Sequence, residues 1–479
     1  MEGIKGGPFS IIMKMHRRTW AVLIAILIIF VGAAIGFWLA APRLLSVAPA
    51  SGSRDVPLDA ALELVFSQPL DPARVKMEIQ PPVSGSLSGS GTRLTFTPDQ
   101  DWPSGATITV TLNSGARAAA LPGLPLLQST TWSFRTRQVL LAYLWPANGL
   151  ADLYALNTVS GKVYRLTVDA AVRDFAAPTA ASQERKWIYY TADKLTGGSL
   201  ILRLDLAALE DQPDQPLPVE TVLDCDDATC ASPAPSPDGH YLAYERAPLA
   251  ASGNTAQVAV WVLELQTGAV QPVTSPAEYT RYPAWSPQGR LALYSRSRTA
   301  YQIFAPTNFS TPLLELSHQT SEPAIWRPDG SSLLAPEVVE EVTGLLDTTI
   351  SGHLLLYAAQ PPLTITDLTA AHDLEDTSPA FSPDGSQVAF ARRYVDLQRW
   401  TVGRQLWVMQ TDGSGARQLT DDPFYNHYAF AWSPDGLQIA YLRSDQSNLS
   451  QPLELWVMGI DGSNPLQLVI GGYAPQWIP

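Results

Sequence analysis

One phrase recurs through the last 342 residues and constrains the fold more than any other feature of the chain. It reads Pro235-Ser-Pro-Asp-Gly239, Trp285-Ser-Pro-Gln-Gly289, Trp326-Arg-Pro-Asp-Gly330, Phe381-Ser-Pro-Asp-Gly385 and Trp432-Ser-Pro-Asp-Gly436. An alternating strand follows each copy, such as Gln387-Val-Ala-Phe-Ala391 or Gln438-Ile-Ala-Tyr-Leu442. Two copies continue into a third strand, Gln405-Leu-Trp-Val-Met409 and Glu454-Leu-Trp-Val-Met458. The Asp412-Gly413 and Asp461-Gly462 turns then lead to a fourth, Arg417-Gln-Leu-Thr420 and Leu466-Gln-Leu-Val469. The copies are spaced by about 49 residues on average, and a four-stranded unit repeating at roughly 40–50 residues is the period of a propeller blade. The residue types suit a tight turn: Pro presets φ, Ser or Asp bonds its own backbone, and Gly takes the positive φ. The aromatic before the turn is predicted to pack between blades. A metal ring of the Asp residues fails on geometry, since turns at a propeller rim lie far apart.

The ends of the repeat set the blade count. Tyr473-Ala-Pro-Gln-Trp-Ile-Pro479 is the opening half of a repeat, and Val139-Leu-Leu-Ala-Tyr-Leu144 is a second strand lacking its first. The C-terminal segment is predicted to supply that missing strand. A degenerate blade begins near Asp174, with Lys186-Trp-Ile-Tyr-Tyr190 as its second strand. The count is seven blades, or six if 138–225 is organised differently.

These blades resemble those of TolB-type propellers and of the propeller domain in prolyl-oligopeptidase enzymes. The TolB resemblance implies an extracytoplasmic, partner-binding propeller. The chain departs from TolB in its N-terminal segments and in its blade number. The oligopeptidase resemblance lacks its chemistry here: there is no Gly-x-Ser-x-Gly elbow, and the six His residues form no His-Glu-x-x-His pair.

Residues 19–42 carry no charge, and Trp20 and Trp38 stand near the two ends of the run. At about 1.5 Å per residue such a segment spans a hydrocarbon layer of roughly 30 Å, with the indoles at the interfaces. Lys14, Arg17 and Arg18 precede it, which predicts a cytoplasmic tail over 1–18 and translocation of everything after Arg43. A cleaved signal peptide is the alternative. The run exceeds the roughly 7–15 apolar residues of such a peptide, and Trp38 and Leu39 crowd the cleavage positions. Net charge is −14, which argues against nucleic acid as a partner, since its phosphates call for a basic face.

Residues 43–137 show short alternating runs: Ala61-Leu-Glu-Leu-Val-Phe66, Arg93-Leu-Thr-Phe-Thr97, Ala106-Thr-Ile-Thr-Val-Thr-Leu112 and Thr131-Trp-Ser-Phe-Arg-Thr136. Period-2 patterning over this length predicts about seven strands in a two-sheet sandwich. Val47-Ala-Pro49, Phe66-Ser-Gln-Pro-Leu-Asp71, Leu94-Thr-Phe-Thr-Pro98 and Trp132-Ser-Phe134 resemble the bacterial Ig-like domains of cell-surface proteins. That resemblance implies a spacer. The expected fold is therefore all-β after one transmembrane helix, with an Ig-like β-sandwich and then a β-propeller at 138–479.

Strands alternate in direction within a blade, so the Ser-Pro-Asp-Gly and Asp-Gly turns share one face. The opposite face is predicted to hold the long loops 247–256, 336–352, 392–404, 421–428 and 444–452. Long loops on a rigid scaffold commonly carry binding. Tyr279, Arg281 and Tyr282, then Arg393, Tyr394, Arg399 and Trp400, then Phe424, Tyr425 and His427, combine Arg and His with large aromatics. Such side chains dominate interface hot spots; the bland reading is that they pack their own loops. Cys225 and Cys230 are expected to form a local disulfide, with a calcium loop at Asp224, Asp226 and Asp227 as the minor alternative. The sequence thus predicts a non-catalytic module, with no cofactor and no metal, that binds an envelope protein, peptide or glycan. The rival is a lyase- or glycosidase-type enzyme with its site at the channel mouth.

Overall fold

The computed structural model describes residues 9–54, 56–118, 123–168, 170–179, 182, 186–211, 215–249, 257–342 and 348–479. The chain divides into two compact units, Met1–Gln138 and Val139–Pro479. Nearly all regular structure is strand. Residues 1–8 of the N-terminal tail lie outside the described residues, as do 250–256 and 343–347 of two long loops.

A helix covers Phe9–Ala40. Its stretch Trp20–Trp38, with mean hydropathy 2.8, is long and apolar enough to cross a membrane. The Arg43 guanidinium lies 5.3 Å from the centre of the Trp38 ring. Beyond it, one sheet pairs Leu44–Ala48, Leu62–Phe66, Arg93–Pro98 and Gly85–Ser90 in that spatial order, and a second pairs Met77–Gln80, Thr107–Leu112 and Thr130–Arg135. Alternation explains the core: Leu62, Leu64 and Phe66 are buried with Ile108, Val110, Leu112, Trp132 and Phe134. Trp102 sits among them, edge-on to Phe134, and its indole N–H donates to Ala60 O at 2.7 Å.

The second unit is a succession of four-stranded antiparallel sheets, the β-propeller pattern. The first pairs Tyr473–Ile478, Leu140–Trp145, Asp152–Leu156 and Val163–Arg165. The second, third and fourth run through Val172–Ala176 to Val219–Asp224, Ala228–Pro235 to Val270–Pro272, and Thr280–Trp285 to Leu314–Ser317. The fifth (Ile325–Trp326, Ser332–Val342, Thr348–Ala358, Ile365–Asp367) and sixth (Leu374–Phe381, Gln387–Tyr394, Gln405–Gln410, Arg417–Gln418) touch through one parallel bridge, Gly352 to Glu375. The seventh holds Tyr425–Trp432, Gln438–Asp445, Glu454–Gly459 and Leu466–Ile470.

Three of the five copies of the recurring phrase lock their turn with the same side-chain hydrogen bonds. Ser236 Oγ donates to Asp238 (2.6 Å) and accepts the Tyr241 N–H (2.9 Å); Ser382 and Asp384 repeat this with Gln387, and Ser433 and Asp435 with Gln438. The closing Gly has φ near 70° at Gly239, Gly385 and Gly436, a value side chains resist. The aromatic that precedes the turn bridges sheets. Trp285, Trp326, Trp432 and Trp477 donate their indole N–H to Ala234, Ala284, Ala380 and Ala431 respectively, at 2.8–3.0 Å. Four residues before the Ser position, or before its counterpart Ile478, the chain takes positive φ: Ser232, Tyr282, Ser378, Ala429 and Ala474 lie between 51° and 58°. This residue is a bulge that breaks the register of the leading strand.

One expectation is overturned. Loop 336–352 is a long hairpin in its described part, pairing Pro336 with Leu354 through to Val342 with Thr348. Its two strands have 11 residues each, against 5–8 for their counterparts in the other sheets. Pro336 reads as a strand breaker, yet the ladder continues through it.

Candidate functional site

The face opposite the Ser-Pro-Asp-Gly turns carries two groups of the sequence-nominated residues. The larger lies where the sixth and seventh sheets meet. Asp396 starts the 395–404 loop by accepting the N–H groups of Gln398 (2.9 Å) and Arg399 (3.0 Å). Arg399 turns back onto Asp396 at 2.7 Å, also pairs with Asp373, and lies 4.0 Å from the centre of the Tyr394 ring. Trp400 returns beside Tyr394 through a parallel bridge.

Backbone hydrogen bonds join three loops here. The Gly403 N–H donates to Pro423 O (2.9 Å), and the Gln446 N–H to Phe424 O (2.8 Å). A Cβ at Gly403 would fall 2.0 Å from Tyr425 O, so glycine permits that approach. Arg443 lies over both Tyr425 and Trp456 and pairs with Glu454 at 2.5 Å. The knitted surface leaves four large apolar side chains exposed: Leu397, Trp400, Phe424 and Leu449.

Two further nominated residues on this side, Arg393 and His427, are engaged by neighbouring groups. Arg393 and Arg404 both engage Glu375. Burial pushes that carboxyl up, but the two guanidiniums outweigh it and hold it below the ordinary carboxylate range. His427 is buried, its Nδ1 2.9 Å from Arg404 O, and burial lowers its pKa. It is unavailable as a surface contact, contrary to its nomination, because the strand Tyr425–Trp432 turns it inward.

Tyr279, Arg281 and Tyr282 form the second group, at the start of the fourth sheet. Glu245 of the third sheet is buried and receives both Arg281 (3.3 Å) and the Tyr282 N–H (2.9 Å). The bulge at Tyr282 thus spends Arg281 on a neighbouring strand. Sequence reasoning missed Glu245 and its counterparts. Asp174 accepts the Ser232 N–H and a Thr191 hydroxyl, and burial raises its pKa. Asp376 holds Arg392 in a two-point pair at 2.7 and 2.8 Å. Glu337 accepts the Gln319 N–H (2.8 Å) and the Thr320 hydroxyl (2.6 Å) and meets His318 at 2.9 Å. Burial alone would raise the Glu337 carboxyl; these partners overcome it and bring the pKa down to about 2. A single acid within a strand gives no sequence signal of such a role. The exposed Leu397 and Leu449 were also missed, although Leu449 is a lone aliphatic among polar loop residues.

Cys225 and Cys230 form a disulfide. Asp224 is occupied by Lys194 at 2.6 Å and by the Asp226 N–H at 2.9 Å, which leaves the calcium reading without its first ligand. Among the described residues no group of three or more His, Cys, Asp or Glu side chains is arranged to hold a metal.

Comparison with known proteins bears on both units. The family model described as a bacterial Ig-like domain matches residues 40–136. Dipeptidyl-peptidase 5 of Porphyromonas gingivalis is 39% identical over 70 residues, which is 15% of this chain and 10% of that protein. An uncharacterized peptidase of Bacillus subtilis, YuxL, is 23% identical over 225 residues, 40% of this chain and 34% of its own length. The matches thus span well under two thirds of either relative. Among solved structures, TolB from Acinetobacter baumannii aligns over 83% of this chain and 82% of its own, at 13% identity and a TM-score of 0.42. The chain carries an Ig-like domain of the bacterial type ahead of a run of propeller-type sheets.

Proposed function

We propose that this chain is a single-pass membrane protein whose seven sheets form a seven-bladed ring closed by Tyr473–Ile478, and that the ring binds a partner protein outside the cytoplasm. The apolar stretch Trp20–Trp38, with Lys14, Arg17 and Arg18 before it, supports an N-terminus inside and both domains outside. The Cys225–Cys230 disulfide fits an oxidising compartment.

The observation that carries the binding role is the group Leu397, Trp400, Phe424 and Leu449, exposed together on three loops that hydrogen-bond to one another. Interfaces combine such apolar anchors with a polar rim, here the Arg399 and Arg443 pairs. Two of the four anchors are aliphatic, which favours a protein or peptide over a glycan.

The other reading, an enzyme working at the channel mouth, has the peptidase names of the two relatives on its side. Against it, Asp174, Glu245, Glu337 and Asp376 are each engaged by backbone N–H, Arg or His.

The test is crosslinking in intact cells from a photoreactive residue at position 397 or 449. A discrete adduct is expected, and W400A with F424A should weaken it at least tenfold while leaving the melting temperature in place. An adduct unaffected by that pair refutes this surface as the docking site.

A further inference from the structure

The extended hairpin of the fifth sheet carries a constellation the binding role does not use. Ser351 Oγ lies 2.9 Å from His353 Nε2, and His353 Nδ1 lies 2.6 Å from Asp367 Oδ2. The other Asp367 oxygen accepts the Thr369 N–H at 3.0 Å. Ser351 and His353 are each 3% exposed.

The local sequence explains the arrangement. Residues two apart on a strand share a face, so Ser351 and His353 stand side by side on Thr348–Ala358. Gly352 between them faces the other way, against the sixth sheet. A Cβ there would come 3.1 Å from Asp376 N, and glycine lets the two sheets meet at the Gly352–Glu375 bridge. Asp367 reaches His353 from the neighbouring strand Ile365–Asp367.

The protons follow from the partners. A carboxylate only accepts hydrogen bonds. Asp367 therefore fixes the neutral imidazole as the Nδ1–H tautomer, which leaves the lone pair on Nε2. The Ser351 hydroxyl then donates to Nε2. A hydroxyl on a base, and that base held by a third group, is the arrangement that activates a serine nucleophile.

We infer that Ser351 is an activated nucleophile, with His353 as its general base and Asp367 as the positioning residue, toward compact activated esters. The Oγ–acyl bond forms as the ester C–O bond breaks. The serine proton passes to His353 Nε2 and leaves with the alcohol. Water, giving its proton to the same nitrogen, then cleaves the acyl-serine to release the acid and restore the hydroxyl. The small exposure of Ser351 restricts the reaction to compact, strongly electrophilic centres.

The experiment is labelling of the full chain in detergent with a small fluorophosphonate, read by intact mass and peptide mapping. In that reaction the Oγ–P bond forms, the P–F bond breaks, fluoride leaves and the serine proton goes to His353. One adduct on Ser351 is expected, absent from S351A and from the urea-unfolded chain. H353Q should slow it roughly 100-fold, within the usual range for a general base, and D367N at least tenfold. H353Q and D367N should lose labelling at an unchanged melting temperature, which the loss of a mere hairpin pin would not allow. No adduct on Ser351 of the folded wild-type chain overturns the inference, as does equal labelling of wild type and H353Q.

Discussion

Trp477→Phe is the most informative single change in the repeat unit, because three other tryptophans provide its reference scale. Each indole N–H reaches an alanine carbonyl of the preceding sheet at 2.8–3.0 Å. Phenylalanine keeps an aromatic ring there and removes the donor. The lost hydrogen bond is worth about 0.5–1.5 kcal/mol, and the smaller ring leaves a gap that adds about 1 kcal/mol. Each Trp→Phe variant should thus lose about 2 kcal/mol in urea unfolding followed by circular dichroism. Trp477 is 8% exposed, the same as Trp432, so the terminal position should behave like the internal one. Deleting 473–479 goes further. It removes the pairings of Tyr473, Gln476, Trp477 and Ile478 with Leu144, Ala142, Leu141 and Leu140, and both Gln476 hydrogen bonds to the second sheet. A buried Trp alone accounts for about 3–5 kcal/mol, against roughly 5–15 kcal/mol of total stability for a domain. The truncated chain should unfold or aggregate through the bared edge of Leu140–Trp145. A neutral W477F beside a costly W432F would refute the docking of the terminal strand.

Two further outcomes are expected. Converting both Cys225 and Cys230 to Ser should cost about 2 kcal/mol, the chain-entropy value for so short a loop; a reductant should shift the wild type equally and leave the double variant unmoved. Glu337 has a folded pKa of about 2, below its unfolded value, so its stabilisation is present above the unfolded pKa and is lost as pH falls through about 2. E337Q should therefore cost a few kcal/mol at neutral pH, with the gap to wild type closing as urea midpoints are followed from about pH 5 down to pH 2; a gap that stays constant over that range contradicts the assignment.

The repeated turns were legible because each residue type in them has one conformational duty, and the structure uses them so at Ser236, Ser382 and Ser433. The sandwich strands were legible from alternation alone, as at Leu62–Phe66. The hairpin of the fifth sheet was not. Pro336 and the adjacent acids Glu340 and Glu341 suggest a loop, while the pairing partner that overrides them follows on Thr348–Ala358. Arg281 was nominated for the surface because sequence carries no sign of Glu245, which receives it from 36 positions away. Ser351 and His353 are visible as a same-face pair once the strand is known. Asp367 completes the set only through the strand pairing that brings its segment alongside.

The pairing of Tyr473–Ile478 with Leu140–Trp145 also sets a schedule for biosynthesis. The indole N–H of Trp145 finds its acceptor, Ile470 O, across 325 residues of chain. As the polypeptide emerges, the strand Leu140–Trp145 is made long before its partner. Throughout that interval the edge is bare, and such an edge recruits foreign strands. Contacts of this span are slow to form because the loop entropy must be overcome first. A nascent chain of this kind therefore has a vulnerable window whose length is set by elongation, and holding factors that mask strand edges should matter most for it.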